Sequence, residues 1–182
     1  MGYTDASMLQ HLIGQARARG LAFVVIGGHA VAAHGYGRQT LDLDLLVRDE
    51  DRPAWLELLL ALGYRVFHED PAFVQLAAPT AAHWPVDLLL VDEPTFAGVV
   101  AEARDVDLGA ERVPIPSLEH LLALKIHALR GARPPRDLKD LTDVVQLVQA
   151  NGLDVRGEPF RALCLKYATP EIHDRIVRAF GD

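Results

Sequence analysis

Val25 to Val47 read VIGGHAVAAHGYGRQTLDLDLLV. An apolar run ends in the adjacent glycines Gly27 and Gly28, and a second apolar run carries Asp42 and Asp44 one residue apart. In a strand, residues i and i+2 share a face, so the two aspartates project together while Leu41, Leu43 and Leu45 project the other way. Two carboxylates so placed suit one hard cation, and Mg²⁺ is commonly held by one or two carboxylates plus substrate phosphate oxygens. Gly27-Gly28 falls between a predicted strand and a predicted helix. Without side chains there, the backbone can approach a phosphate closely. A solvated edge strand beside an ordinary glycine turn is the plainer reading of either half. The two halves together outline a metal–nucleotide site.

Outward from this stretch the pattern alternates between strand and helix. LAFVVI before it reads as a buried strand, HAVAAHG as a short helix and TLDLDLLV as a second strand. Asp5–Arg19 has helical spacing and stops at Gly20. DRPAWLELLLALG reads as a helix, with Asp51 as its cap, Pro53 in its first turn and Gly63 at its end. YRVFH, FVQLAA and PVDLLLV read as three short strands, PTFAGVVAEA as a helix and ERVPIP as a further strand. After Pro116 the pattern becomes helical. Ser117 caps SLEHLLALKIHALRG, and RPPRDLKDLTDVVQLVQANG closes at Asn151-Gly152. Two more helices are expected near Pro159–Ala168 and Pro170–Phe180. The expected organisation is an α+β core over 1–116, a mixed sheet flanked by helices with a helix at its N-terminal end, then a helical segment over 117–182.

The segment VVIGGHAVAAHGYGRQTLDLDLLV resembles the signature of the DNA polymerase β-like nucleotidyltransferase superfamily: strand, Gly-Gly, short helix, then Asp-x-Asp on the next strand. Members add a third carboxylate in an apolar–Asp–apolar context, and WPVDLLLV supplies Asp87. The resemblance implies transfer of a nucleoside monophosphate from an NTP to an acceptor, with release of pyrophosphate. It implies one or two Mg²⁺ ions on Asp42 and Asp44, with Asp87 binding the catalytic ion and helping to deprotonate the acceptor hydroxyl. Arg38 and Thr40, just before the pair, are candidates for phosphate or acceptor contacts. On residue type alone, Asp87 is equally a solvent-facing residue of a half-buried strand, and Arg38 a surface residue.

In SLEHLLALKIHALRG, Leu118, Leu121, Leu122 and Leu129 form an apolar stripe that includes Lys125. Such a lysine either snorkels to solvent or aims its ammonium at a triphosphate. In the next helix, Leu138, Leu141, Val144, Val145 and Val148 read as the buried face and Asp137 and Asp140 as a charged, solvated flank. LLALKIHALRGARPPRDLKDLTDVVQL is similar to the arrangement in small bacterial AbiEii-type toxins, a helix lysine followed by a basic-Asp-x-x-Asp segment. That places Lys125 as the helix lysine and Asp140 as the favoured acidic position among Asp137, Asp140 and Asp143. His29 departs from this pattern, which has a small or hydroxylated residue after the glycines. Aminoglycoside nucleotidyltransferases share the same core.

Composition narrows the class. The net charge of −7 argues against a broad nucleic-acid surface, since phosphate contacts need Lys and Arg. A tRNA acceptor would require a local basic patch, for which Arg130, Arg133, Arg136 and Lys139 are the candidates. The two serines, Ser7 and Ser117, lie outside G-x-S-x-G, no Walker loop occurs, and no histidine pair has zinc-helix spacing. A single cysteine, Cys164, permits no internal disulfide and fits a cytoplasmic protein. No span long enough for a membrane and no signal peptide are expected. The expected function is an Mg²⁺-dependent nucleotidyltransferase acting on a tRNA end, a protein hydroxyl or a small molecule such as an aminoglycoside. It would serve as the toxin of a toxin–antitoxin pair, with an antitoxin-like partner protein. The alternative is a non-catalytic nucleotide- or partner-binding member of the same fold. Trp84 and Tyr36 could stack on a base.

Overall fold

The computed structural model describes residues 5–131 and 136–181, with side chains from Leu9 onward and excepting that of Arg136. The chain divides into two compact units. One comprises residues up to Ala30 with Gln39–Ser117, the other Val31–Arg38 with the chain from Leu118 onward.

The first unit is built on a five-stranded mixed sheet in the order β1-β2-β5-β4-β3. Its strands are β1 (Val24–Val25), β2 (Leu43–Arg48), β3 (Arg65–Asp70), β4 (Phe73–Ala77) and β5 (Val86–Val91). β1 and β2 are antiparallel, β2 and β5 parallel, and β5, β4 and β3 run as antiparallel neighbours. The central pair carries the densest apolar sequence: β2 is buried at four of its six residues and β5 at alternate ones. Leu43, Leu45, Leu46 and Val47 of β2, with Val86 and Leu88 of β5, have no accessible surface. Helix α1 (Asp5–Ala18) packs on α3 (Arg52–Ala61), whose Trp55 is fully buried and meets Phe23 edge-on with ring centroids 6.0 Å apart. Helix α4 (Glu93–Ala101) packs on β2 and is capped by Asp92, whose carboxylate accepts from Thr95 N at 3.0 Å. A separate two-stranded ribbon, β6 (Arg104–Leu108) with β7 (Glu111–Ile115), docks through β7 on β1 and α1.

Several boundaries differ from the sequence reading. The predicted strand LAFVVI shrinks to Val24–Val25, because Ile26 already leads into α2 (Gly27–Ala33) and its N–H donates to Asp44 O at 2.9 Å. β2 begins at Leu43, so Asp42 occupies the bend just before it. Asp51 does not cap α3 through its side chain. Its carboxylate receives Arg48 Nε at 2.7 Å instead, and a 3-10 turn over Asp49–Asp51 leads into the helix. β6 had no apolar alternation to announce it: its residues are exposed or half-buried, and it is held by pairing with β7.

The second unit is helical: α5 (Leu118–Ala128), α6 (Arg136–Ala150), α7 (Glu158–Tyr167) and α8 (Pro170–Arg178). α5 packs on α6 and α7, and α8 on α6 and α7. Gly152, at φ +61°, ends α6 as expected, with Leu153 N donating back to Val148 O at 3.0 Å. The stretch Val31–Arg38 is tied to α6. Asn151 Nδ2 donates to His34 O at 2.9 Å, and Arg38 forms an ion pair with Asp143 at 2.8 Å.

The buried face of α6 is rotated from the one expected. Leu138 is 57% exposed, while Asp140 and Asp143 are 5% and 0% exposed and join Val144, Leu147 and Val148 in the core. Those five positions follow i, i+3, i+4, i+7, i+8, the spacing of one helix face. Two aspartates stand where apolar residues would be read.

Candidate active site

Asp42, Asp44 and Asp87 converge in the first unit. Each is half-buried and offers one carboxylate oxygen, and the three oxygens lie within 4.8 Å of one another. The parallel pairing of β2 with β5 brings this about, since Asp44 stands directly opposite Asp87 in the register. Asp42, two residues before Asp44, closes the cluster from the bend. A bound cation would relieve the mutual repulsion of three carboxylates in so small a volume.

The glycine turn lies against the same cluster. Gly27 has φ +59°, and a Cβ there would stand 1.8 Å from Asp44 Oδ2. Only glycine takes this left-handed conformation readily while leaving that space open. A glycine read from the sequence as admitting phosphate thus also admits the Asp44 carboxylate. The donor set is all oxygen, which suits Mg²⁺ better than a softer metal. These residues fit a resident Mg²⁺.

Two side chains orient the carboxylates. Thr40 Oγ1 donates to Asp42 Oδ1 at 2.5 Å, so Thr40 holds a carboxylate of the cluster. Gln75 Nε2 donates to Asp87 Oδ2 at 3.1 Å, from the β4 position paired with Asp87. Nothing in the sequence singled out Gln75. Its only signal is a lone amide between Val74 and Leu76, and only the strand order shows that β4 lies beside β5. His29 follows Gly28 and stacks on Trp84 with ring centroids 4.9 Å apart, so that ring is engaged within the protein.

Arg38, Lys125 and Asp140 belong to the second unit, where they meet Asp143. Lys125 is buried on α5, and its ammonium lies 2.8 Å from Asp140 Oδ1 and 2.9 Å from Asp143 Oδ2. Arg38 donates from Nε and its terminal nitrogen to both oxygens of Asp143, at 2.8 and 3.0 Å. Two cations and two anions thus form one chain of charge-assisted bonds. Burial alone would lower the Lys125 pKa, but the Asp140 and Asp143 carboxylates outweigh it and hold the ammonium above its ordinary value. Burial alone would raise Asp143. The Arg38 hydrogen bonds and the Lys125 charge outweigh that and hold it below the usual carboxylate range. Of the three acidic candidates, Asp140 and Asp143 both bind Lys125, whereas Asp137 pairs with Arg175 on α8 at 3.0 Å. Of the expected basic patch, Arg133 and the Arg136 side chain lie outside the described residues, and Lys139 is exposed.

The model of an uncharacterised nucleotidyltransferase family matches residues 6–169. The chain belongs to that family. No curated protein matches it. Among solved structures, the solution structure of the antibiotic-resistance factor ANT(2'')-Ia is similar, with TM-score 0.67 and 19% identity over 96% of this chain and 99% of that one. The lincosamide antibiotic adenylyltransferase LnuA, with lincomycin bound, gives 0.55 and 15% over 79% and 98%. An antigenic nucleotidyltransferase-like protein from Paracoccidioides brasiliensis gives 0.56 and 14% over 96% and 89%. These likenesses bear out the mixed sheet flanked by helices, and the family match makes the chain a nucleotidyltransferase, hence a transferase, by family. The narrower likeness to AbiEii-type toxins rests on the helix motif alone. No helix among the described residues is long and apolar enough to cross a membrane.

Proposed function

We propose that this nucleotidyltransferase-family protein moves a nucleoside monophosphate from an NTP to a hydroxyl of a small-molecule acceptor, with Mg²⁺ held by Asp42, Asp44 and Asp87. The observation that carries the proposal is the convergence of these three carboxylates within 4.8 Å against Gly27. In the reaction the acceptor oxygen loses its proton and bonds to the α-phosphorus, while the α–β phosphate bridge breaks and pyrophosphate leaves with the bonding pair. Bound Mg²⁺ would supply charge neutralisation at the transferring phosphorus. Asp87 would take the acceptor proton, with Gln75 donating to its Oδ2 to hold the carboxylate in orientation. Thr40 keeps Asp42 turned toward the cluster. The Gly27-Gly28 backbone would contact the phosphates, while Arg38, Lys125 and Asp140 are joined with Asp143 in the ion-pair chain of the second unit.

A small acceptor is supported by the net charge of −7, which disfavours a polyanion. Two similar structures point the same way: the antibiotic-resistance factor ANT(2'')-Ia in complex with adenylyl-2''-tobramycin, and the lincosamide antibiotic adenylyltransferase LnuA bound to lincomycin. The AbiEii-type reading instead gives a cytoplasmic toxin with a tRNA or protein acceptor and an antitoxin partner; Lys125 and Asp140 support it. The experiment separates them. The protein is incubated with Mg²⁺ and each α-labelled NTP, with aminoglycosides and lincosamides in one arm and tRNA and cell protein in the other. Asp42→Asn/Asp44→Asn serves as control, and Mn²⁺ binding is followed in parallel by electron paramagnetic resonance. Label moved to a small molecule by the intact protein alone, with Mn²⁺ affinity lost in the variant, is the expected result. Label on tRNA or protein supports the toxin reading. Nucleotide binding without transfer in any arm supports the non-catalytic alternative.

A further inference from the structure

Strand β3, Arg65-Val66-Phe67-His68-Glu69-Asp70, is the outer strand of the five-stranded sheet. β4 is its only partner among the described strands. All six of its residues are exposed, so neither of its faces is covered and one edge is open. An open edge offers unpaired N–H and C=O groups to another chain. Edges are commonly protected by Lys, Pro or a bulge that bends them away. β3 does carry a bulge, but the residue without a counterpart on β4 is Phe67, an aromatic that is 79% exposed, and Val66 beside it is 40% exposed. These features invite contact.

The charge order identifies what fits. β3 begins with a cation and ends with anions. Laid antiparallel against a second copy of itself about a two-fold axis between Phe67 and His68, it sets Arg65 opposite the copy's Asp70, Val66 opposite Glu69 and Phe67 opposite His68. Among the described residues the Arg65 guanidinium has no ion-pair partner of its own, whereas Glu69 is already held by Arg52. The two-fold arrangement would give both Arg65 side chains a carboxylate and cover both Phe67 rings. A two-fold interface needs such self-complementarity, and cross-strand opposite charges and aromatic pairs are the units that stabilise it.

We propose that β3 is a homodimerisation edge, pairing antiparallel with β3 of a second copy to continue the sheet across the two-fold axis. The test is sedimentation equilibrium of the full chain over a concentration series, with thermal melts to confirm folding. The expected mass rises toward twice 20.0 kDa with concentration. Arg65→Asp and Asp70→Arg should each raise the dissociation constant at least about tenfold, because each places two like-charge pairs across the axis. The double exchange Arg65→Asp/Asp70→Arg should restore dimerisation. Asp70 also accepts from Ala72 N at 2.8 Å, so Asp70→Arg alone could loosen the hairpin; only a true charge pairing is rescued by the exchange. Phe67→Ser should weaken the dimer without lowering the melting temperature. A monomer at every concentration overturns the proposal, as does a dimer indifferent to these substitutions.

Discussion

At Gly27 a single hydrogen atom decides whether the site can exist. The left-handed backbone there and the 1.8 Å that would separate a Cβ from Asp44 Oδ2 leave no room for alanine. Gly27→Ala should cost at least about 1 kcal/mol for the backbone conformation alone. It should also push the Asp44 carboxylate out of the cluster. Thermal unfolding checks the first effect, and weakened Mn²⁺ binding the second. Retained metal affinity would show that Asp44 has another place to go. The glycines and aspartates were legible in the sequence because their chemistry is local. Gln75 was not, because its role exists only where β4 pairs with β5.

Among the elements, α6 departs most instructively from its sequence. Hydropathy selected Leu138 and assigned Asp137 and Asp140 to a solvated flank, but the buried stripe runs through Asp140 and Asp143. A buried carboxylate is tolerated when it is paired, and here Lys125 from α5 and Arg38 supply the pairing. The sequence of α6 alone could not reveal this, since the compensating cations lie on other segments. Removing the central cation should therefore be costly. Lys125→Met would leave Asp140 short of its partner and is expected to destabilise the protein by about 3–5 kcal/mol in urea unfolding. A loss within experimental error would mean that Arg38 alone satisfies both carboxylates. Element by element, long apolar strands and capped or glycine-stopped helices were legible. The short extent of β1 and the charged β6 were not, because strand pairing rather than periodicity maintains them.

Across the whole molecule, the titrating groups set a pH window for stability. Asp143 has its folded pKa depressed, so its contribution is present above the unfolded value of about 3.9 and is lost as pH falls through the folded value. Three buried groups act at the alkaline end. Burial pushes the Cys164 thiol up to about 11 and the Tyr64 hydroxyl up to about 12, and the carboxylates hold Lys125 above its ordinary value. Raised folded values stabilise fully below the unfolded ones and lose that stability as pH rises through the folded ones. Urea unfolding across pH should therefore show a plateau near neutrality, a fall below about pH 4 and a decline that begins near pH 9. Cys164→Ala should postpone the start of that alkaline decline. An unchanged onset would show that Tyr64 and Lys125 dominate it.

By itself the sequence determined the short-range features: an apolar strand broken by Gly27-Gly28, aspartates at i and i+2, a third aspartate within an apolar run, and helices bounded by glycine and proline. Each is set by backbone preference or side-chain period within a few residues. Tertiary structure decided that β5 lies between β2 and β4 in a register opposing Asp44 to Asp87, that Gly27 faces a carboxylate, and that α6 buries its acids against Lys125 and Arg38. These depend on pairings between segments distant in the chain. Neither hydropathy nor period encodes a partner, so a charge neutralised in the core reads in sequence like one bound for solvent.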